Sequence, residues 1–153
     1  MATSLLGSAG FEWDILGCDD DELAAITGFA ALYRELRPIV HGSVVIHPEL
    51  RDPAWRVTGF VAPEATRAVV VVASVGSLED ARAERLRIPG LDQGREYRVR
   101  VRREIGAAAY GWIAPEWYTS GEITLPAAVL ARVGLQLPTL WPTQAFILDL
   151  VAI

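Results

Sequence analysis

The sequence predicts a mainly β fold, an antiparallel β-sandwich preceded by one amphipathic helix. Three observations carry this. A single helical periodicity occupies residues 19–37, the apolar pattern changes to alternation after Pro38, and the alternating runs are short and separated by turn residues with no helix between them. The chain has 153 residues, about one domain, and its 52% apolar against 22% charged residues suit a buried core rather than a disordered chain.

The helix comes first. Asp19 is placed to cap its N-terminus, Glu22 lies three residues on to complete a capping box, and Asp20 and Asp21 put negative charge where the helix dipole favours it. Leu23, Ile26, Ala30 and Tyr33 follow at helical spacing, Phe29 and Leu36 widen the apolar face, and Pro38 is expected to end the run.

Strands are then expected at Ser43–Ile46, Trp55–Val61, Arg67–Ala73, Arg85–Ile88, Tyr97–Val101 and Ala145–Val151, with turns at Asp52-Pro53, Ala62-Pro63, Pro89-Gly90 and Gln93-Gly94. The run Ala68–Ala73 does not alternate, so it reads as a central strand covered on both faces. Within Glu96–Arg102, Tyr97, Val99 and Val101 share one face while Arg98, Arg100 and Arg102 share the other, which reads as solvated. Residues 106–122 are ambiguous, and Ala127–Val133 fits either a short helix or a bent strand.

Charge excludes some partners. All 14 basic residues are Arg and they face 19 acidic ones, a formal net charge of −5, so neither nucleic acid nor an anionic membrane is expected. The N-terminus lacks the basic and apolar regions of a signal peptide, no apolar run approaches the ~20 residues of a spanning helix, and a cytoplasmic location is expected. Cys18 is the only cysteine, which excludes an internal disulfide and argues against a thiolate metal site.

The catalytic inventory is nearly empty. Ser8, in Gly7-Ser8-Ala9-Gly10, is not in a G-x-S-x-G elbow. His41 and His47 do not have metal-binding spacing, Asp19–Glu22 lacks the pattern of a calcium loop, and no glycine loop cradles a phosphate. No catalytic residue, metal or cofactor is expected. Trp55, Trp112, Trp117 and Trp141, with Tyr110 and Tyr118, admit a sugar-stacking surface, but core packing or helix contact is the expectation, most clearly for Trp55 and Trp141.

Several strings resemble one enzyme family. Gly10-Phe11-Glu12-Trp13-Asp14-Ile15, the acidic helix start, Leu32-Tyr33-Arg34-Glu35-Leu36-Arg37-Pro38-Ile39-Val40 and Gly42 are similar to the end of the catalytic domain in glycoside hydrolase family 36, the bacterial α-galactosidases. Ala54-Trp55-Arg56-Val57, Leu86-Arg87-Ile88-Pro89-Gly90-Leu91-Asp92 and Gly134-Leu135-Gln136-Leu137-Pro138 follow in the order of that family's C-terminal β domain. Pro126-Ala127 stands where the family often has Ser-Gly, and Arg34 replaces a usual Lys.

The resemblance implies that residues 1–39 are the last strand and helix of a (β/α)8 barrel and residues 40–153 a C-terminal antiparallel β domain. It also implies a retaining hydrolase of terminal α-galactosyl residues, with an Asp nucleophile and an Asp acid/base ~5 Å apart, both N-terminal to anything here. Asp14 matches neither carboxylate. In an intact enzyme Ser8, Gly10, Phe11 and Glu12, on a presumed strand over Leu6–Glu12, would lie near the galactose pocket. The expected partners are the remainder of the barrel or a second copy of the chain, with galacto-oligosaccharide bound only by the intact enzyme. The alternative is a stand-alone β-sandwich that binds carbohydrate or protein. A barrel helix without its strands leaves several large side chains uncovered, each forfeiting ~1.5–3 kcal/mol of burial, so self-association is expected.

Overall fold

The computed structural model describes residues 2–12 and 14–153, and Trp13 of the Gly10–Ile15 string lies outside them. A 3-10 turn at Ala2–Leu6 and another at Ile15–Gly17 lead to helix α1, Asp20–Gly42. Its predicted capping box is complete: Glu22 N–H donates to Asp19 Oδ1 (2.8 Å) and Asp19 N–H to Glu22 Oε2 (3.1 Å). The helix does not stop at Pro38. Proline removes one rung of the ladder, but Leu36 and Val40 on either side of it are buried and hold the last turn in place.

Eight strands follow: β1 Val44–Ile46, β2 Trp55–Val61, β3 Arg67–Ser74, β4 Arg85–Leu86, β5 Glu96–Arg102, β6 Glu122–Pro126, β7 Leu135–Gln136 and β8 Ala145–Ala152. Helix α2, Glu116–Ser120, precedes β6, and helix α3, Ala127–Arg132, resolves the helix-or-strand ambiguity after it. Every strand pairing among the described residues is antiparallel. Six strands form one sheet in the order β1-β2-β3-β8-β5-β6, and β4 with β7 form a second, much smaller one. The sandwich is therefore lopsided.

Alternation along the strands divides the core. Val57, Val70, Val72, Tyr97, Val99, Leu148 and Leu150 point towards the layer of β4, β7, α2 and α3, where Leu86, Leu130, Leu135 and Trp117 meet them. Phe60, Val69, Val71 and Ile147 point the other way, onto Phe29, Leu32, Leu36 and Val40 of α1 and Leu5 of the first 3-10 turn. β3 is buried along Ala68–Ser74 because it lies in the middle of the sheet with both faces covered. The Tyr97 hydroxyl is satisfied within the core: it accepts from Asp92 N–H (3.0 Å) and donates to the Ala65 carbonyl.

Two expectations change here. The helix is not orphaned, because it packs in cis on the sheet. The face it buries is Phe29-Leu32-Leu36-Val40, whereas Leu23, Ile26, Ala30 and Tyr33 are only half-buried. Both stripes are apolar at helical spacing, and the sheet selects the one in register with Phe60, Val69, Val71 and Ile147. Second, Leu6–Glu12 is not a strand. A barrel strand takes its hydrogen bonds from neighbouring strands, and the segment instead lies along α1, with the Phe11 ring edge-on to Phe29 (5.3 Å) and Tyr33 O–H donating to the Gly7 carbonyl (3.2 Å).

Candidate functional site

The helix and the sheet are joined by a cluster of charges. Asp149 is the one acidic residue in the apolar run of β8 and is almost fully buried. Arg67 of β3 approaches it from one side, with Nε donating to Oδ1 and Nη2 to Oδ2, both at 2.8 Å. Arg102 of β5 approaches from the other, with Nη1 donating to Oδ2 (2.9 Å). Glu35 reaches down from α1 and accepts from both: Arg67 Nη2 (2.7 Å), Arg102 Nη1 (2.9 Å) and Arg102 Nη2 (2.6 Å). Glu104 takes Arg102 Nε (2.8 Å).

Glu35, Arg67, Arg102 and Asp149 thus each have a partner on an element far away in sequence, while Glu104 lies two residues from its own. The Arg102 side chain is only 9% exposed, which corrects the reading of its stripe as solvated. Arg98 and Arg100 do face solvent, and Arg102 differs because α1 covers its end of β5. No motif marks Glu35, Arg67 or Asp149. The lone Asp within Ala-Phe-Ile-Leu-Asp-Leu-Val is the one signal in the sequence that a buried ion partner had to exist.

Hydrogen bonds from Arg102 above all, then from Arg67, hold the Glu35 carboxyl down at about 2 against the usual 4.5, burial opposing them. The folded state therefore binds the Glu35 proton more weakly than the unfolded chain does. That stabilisation is complete above about pH 4.5 and is lost as pH falls through about 2. The Glu35 side chain is 45% exposed, so screening keeps its share small. The stability difference between the native chain and Glu35→Gln is expected to be constant above about pH 5 and to shrink towards pH 2. Denaturant titrations across that range check it, and a difference that grew on acidification would contradict the assignment.

The anticipated pocket residues lie at the N-terminal edge of this joint. Ser8, Gly10 and Glu12 are exposed, while Phe11 is half-buried against Phe29. Asp14 caps the second 3-10 turn, accepting from Leu16 N–H (3.1 Å). His41 and His47 are both exposed, and no three metal-ligating side chains converge among the described residues. A cleft of about 470 Å³ opens at the ends of β3, β5 and β8 beside Thr3, Ile105 and Gln144, but its buried charge, Arg102, is already committed to three carboxylates.

The aromatic side chains separate into two groups. Trp55, Trp117 and Tyr118 are buried, Trp117 Nε1–H donates to the Gln136 carbonyl (2.9 Å), and Tyr118 packs edge-on to Phe146 (5.1 Å). Trp112 is 95% exposed and Trp141 54% exposed. The expectation of core packing or helix contact therefore fails for Trp112, and also for Trp141, where it was clearest. Trp141 follows an edge ladder, in which Leu140 bridges Tyr110, rather than a strand of the main sheet.

Residues 53–150 match the family described as "Glycosyl hydrolase family 36 C-terminal domain". The chain belongs to this family. An α-galactosidase of Escherichia coli is 30% identical over 159 aligned residues, covering 97% of this chain and 22% of that enzyme. A probable α-galactosidase C of Aspergillus terreus is 26% identical, covering 86% of the chain and 15% of the relative. A variant of the GH36 α-galactosidase AgaA of Geobacillus stearothermophilus, solved in complex with raffinose, superposes with a TM-score of 0.77 at 19% identity, over 99% of this chain and 19% of that one. The chain thus spans about a fifth of these relatives, and the family 36 domain described here contains no (β/α)8 barrel. No described helix is long and apolar enough to cross a membrane.

Proposed function

We propose that this family 36 domain is the C-terminal support of a retaining α-galactosidase that removes terminal α-galactosyl residues from oligosaccharides, the catalytic carboxylates being supplied by a barrel. One observation carries this reading. The C-terminal-domain match starts at residue 53, yet the alignment to the E. coli enzyme covers 97% of the chain, so the residues ahead of the domain also have counterparts there. On this reading the N-terminal segment and α1 are the tail of the barrel, with the junction at the helix end, Gly42, and the β domain beyond it.

The partner is then the remainder of the barrel. Because α1 covers its main apolar face in cis, it does not need a second copy to bury that face. Leu16, 98% exposed, and Ile15, with half-buried Leu23 and Ile26 on the following helix, supply apolar surface for the barrel to cover. Ser8, Gly10, Phe11 and Glu12 would lie at that contact, on the side of the sugar pocket.

The chain alone is expected to release no product from a chromogenic α-galactoside above a buffer control, because the paired carboxylates of the reaction are not among its residues. Replacing the matching region of the E. coli α-galactosidase by this chain is expected to give a soluble, active hybrid. Turnover by the isolated chain, or a hybrid that folds without activity, would overturn the proposal.

A further inference from the structure

Exposure alternates along the segment ahead of α1. Gly7, Ala9 and Phe11 are half-buried, while Ser8, Gly10 and Glu12 are exposed. That is the period of an extended chain, yet the segment pairs with no described strand. It is held by the helix instead. Tyr33 O–H donates to the Gly7 carbonyl at one end (3.2 Å), and the Phe11 ring stands edge-on to Phe29 at the other (5.3 Å). Phe29 and Tyr33, one turn apart on α1, stack in parallel with ring centroids 6.3 Å apart, so the two anchors brace each other.

Between the anchors there is little else to fix the backbone. Ala9 adds one small apolar contact, and a Cβ added at Gly7 or Gly10 would meet nothing within 4 Å. Glycine leaves the chain loose unless something ties it. Register matters here because the period is two. A slip by one residue would turn Ser8 and Glu12 onto the helix and Ala9 and Phe11 outwards. Phe11 opposes the slip by packing, and the Tyr33 hydroxyl makes the only hydrogen bond between residues 7–12 and α1.

The barrel-support reading gives the outward face a task. If α1 is a barrel helix, the chain entering its N-terminus is a βα-loop, and those loops line the catalytic face of a barrel. We infer, on the α-galactosidase reading above, that Tyr33 is a positioning residue: it fixes the register in which the Ser8 hydroxyl and the Glu12 carboxylate are presented to the hydroxyl groups of the α-galactosyl residue.

Tyr33→Phe removes the hydroxyl and keeps the ring on Phe29. Amide relaxation in the full native chain is expected to show residues 8–11 as ordered as α1, with order parameters of about 0.85, and Tyr33→Phe should lower them towards about 0.6 without changing the sheet. In the hybrid enzyme the same substitution should raise KM for a chromogenic α-galactoside about threefold to tenfold, the effect of one lost hydrogen bond, with kcat within about twofold. Glu12→Gln should raise KM as well, and the two substitutions together by less than the product of the single effects, because both act through one contact. Unaltered order of residues 8–11 in Tyr33→Phe, an unaltered KM in an active hybrid, or fully multiplicative effects of the two substitutions would overturn the inference. So would a fall in thermal stability with KM unchanged, since the hydroxyl would then serve the fold alone. A native hybrid that folds without activity overturns the barrel-support reading, and this role with it, so the two failures are read separately.

Discussion

Asp149→Ala is expected to destabilise the chain by about 3–5 kcal/mol, the cost of removing one partner from a buried ion pair. The reason lies in what remains. Arg67 and Arg102 converge on Asp149 from the two neighbouring strands, and without it two guanidinium groups face each other under α1 with Glu35 the one carboxylate they share and Glu104 paired to Arg102 alone. Repulsion and unsatisfied donors then act at the point where the helix is pinned. The midpoint of thermal unfolding should fall by about 10 °C for a domain of this size. A loss below about 1 kcal/mol in urea unfolding would mean that water reaches the cluster and that it contributes as little as a surface pair.

Leu36→Ala is the second large effect, about 2–5 kcal/mol for a buried Leu truncated in a packed interface. Leu36 is fully buried between α1 and the sheet, in the cluster of Val69, Val71 and Ile147. Its loss removes apolar contact one residue from Glu35, so both halves of the joint weaken together. Leu23→Ala, on the half-buried side, should cost under half as much. Equal losses at the two positions would show that the helix sits on the sheet by the other stripe.

Much of this architecture was legible in the sequence, and the parts that were not share a cause. The capping box at Asp19 and Glu22 is local chemistry, and the strands β2, β3, β5 and β8 announce themselves by alternation or by a continuous apolar run. β6 alternates too, as Glu-Ile-Thr-Leu-Pro, but it is short and follows a stretch whose pattern fits neither period. Which of two apolar stripes on α1 turns inward was not legible, because both have helical spacing and only the sheet distinguishes them. The extent of α1 past Pro38 has the same origin, since tertiary burial of Val40 outweighs one missing hydrogen bond.

The charged joint was concealed for a further reason. Glu35, Arg67, Arg102 and Asp149 lie on three strands and a helix, and only sheet order brings them together. The exposure of Trp112 was hidden similarly, because it arises from a hydrogen-bonding irregularity with Thr139, twenty-seven residues away in sequence.

Helix α1 is docked in cis on the six-stranded sheet, and under the proposed function its N-terminal end keeps an apolar surface for a barrel to cover. Hydrogen–deuterium exchange of the isolated chain tests this docking most directly, because it reports the stability of each segment separately. Amides of residues 29–40 are expected to exchange as slowly as those of β3, and those of residues 14–26 markedly faster. Fast exchange along the whole of Asp20–Gly42, with β3 still protected, would show instead that the helix is not held by the sheet.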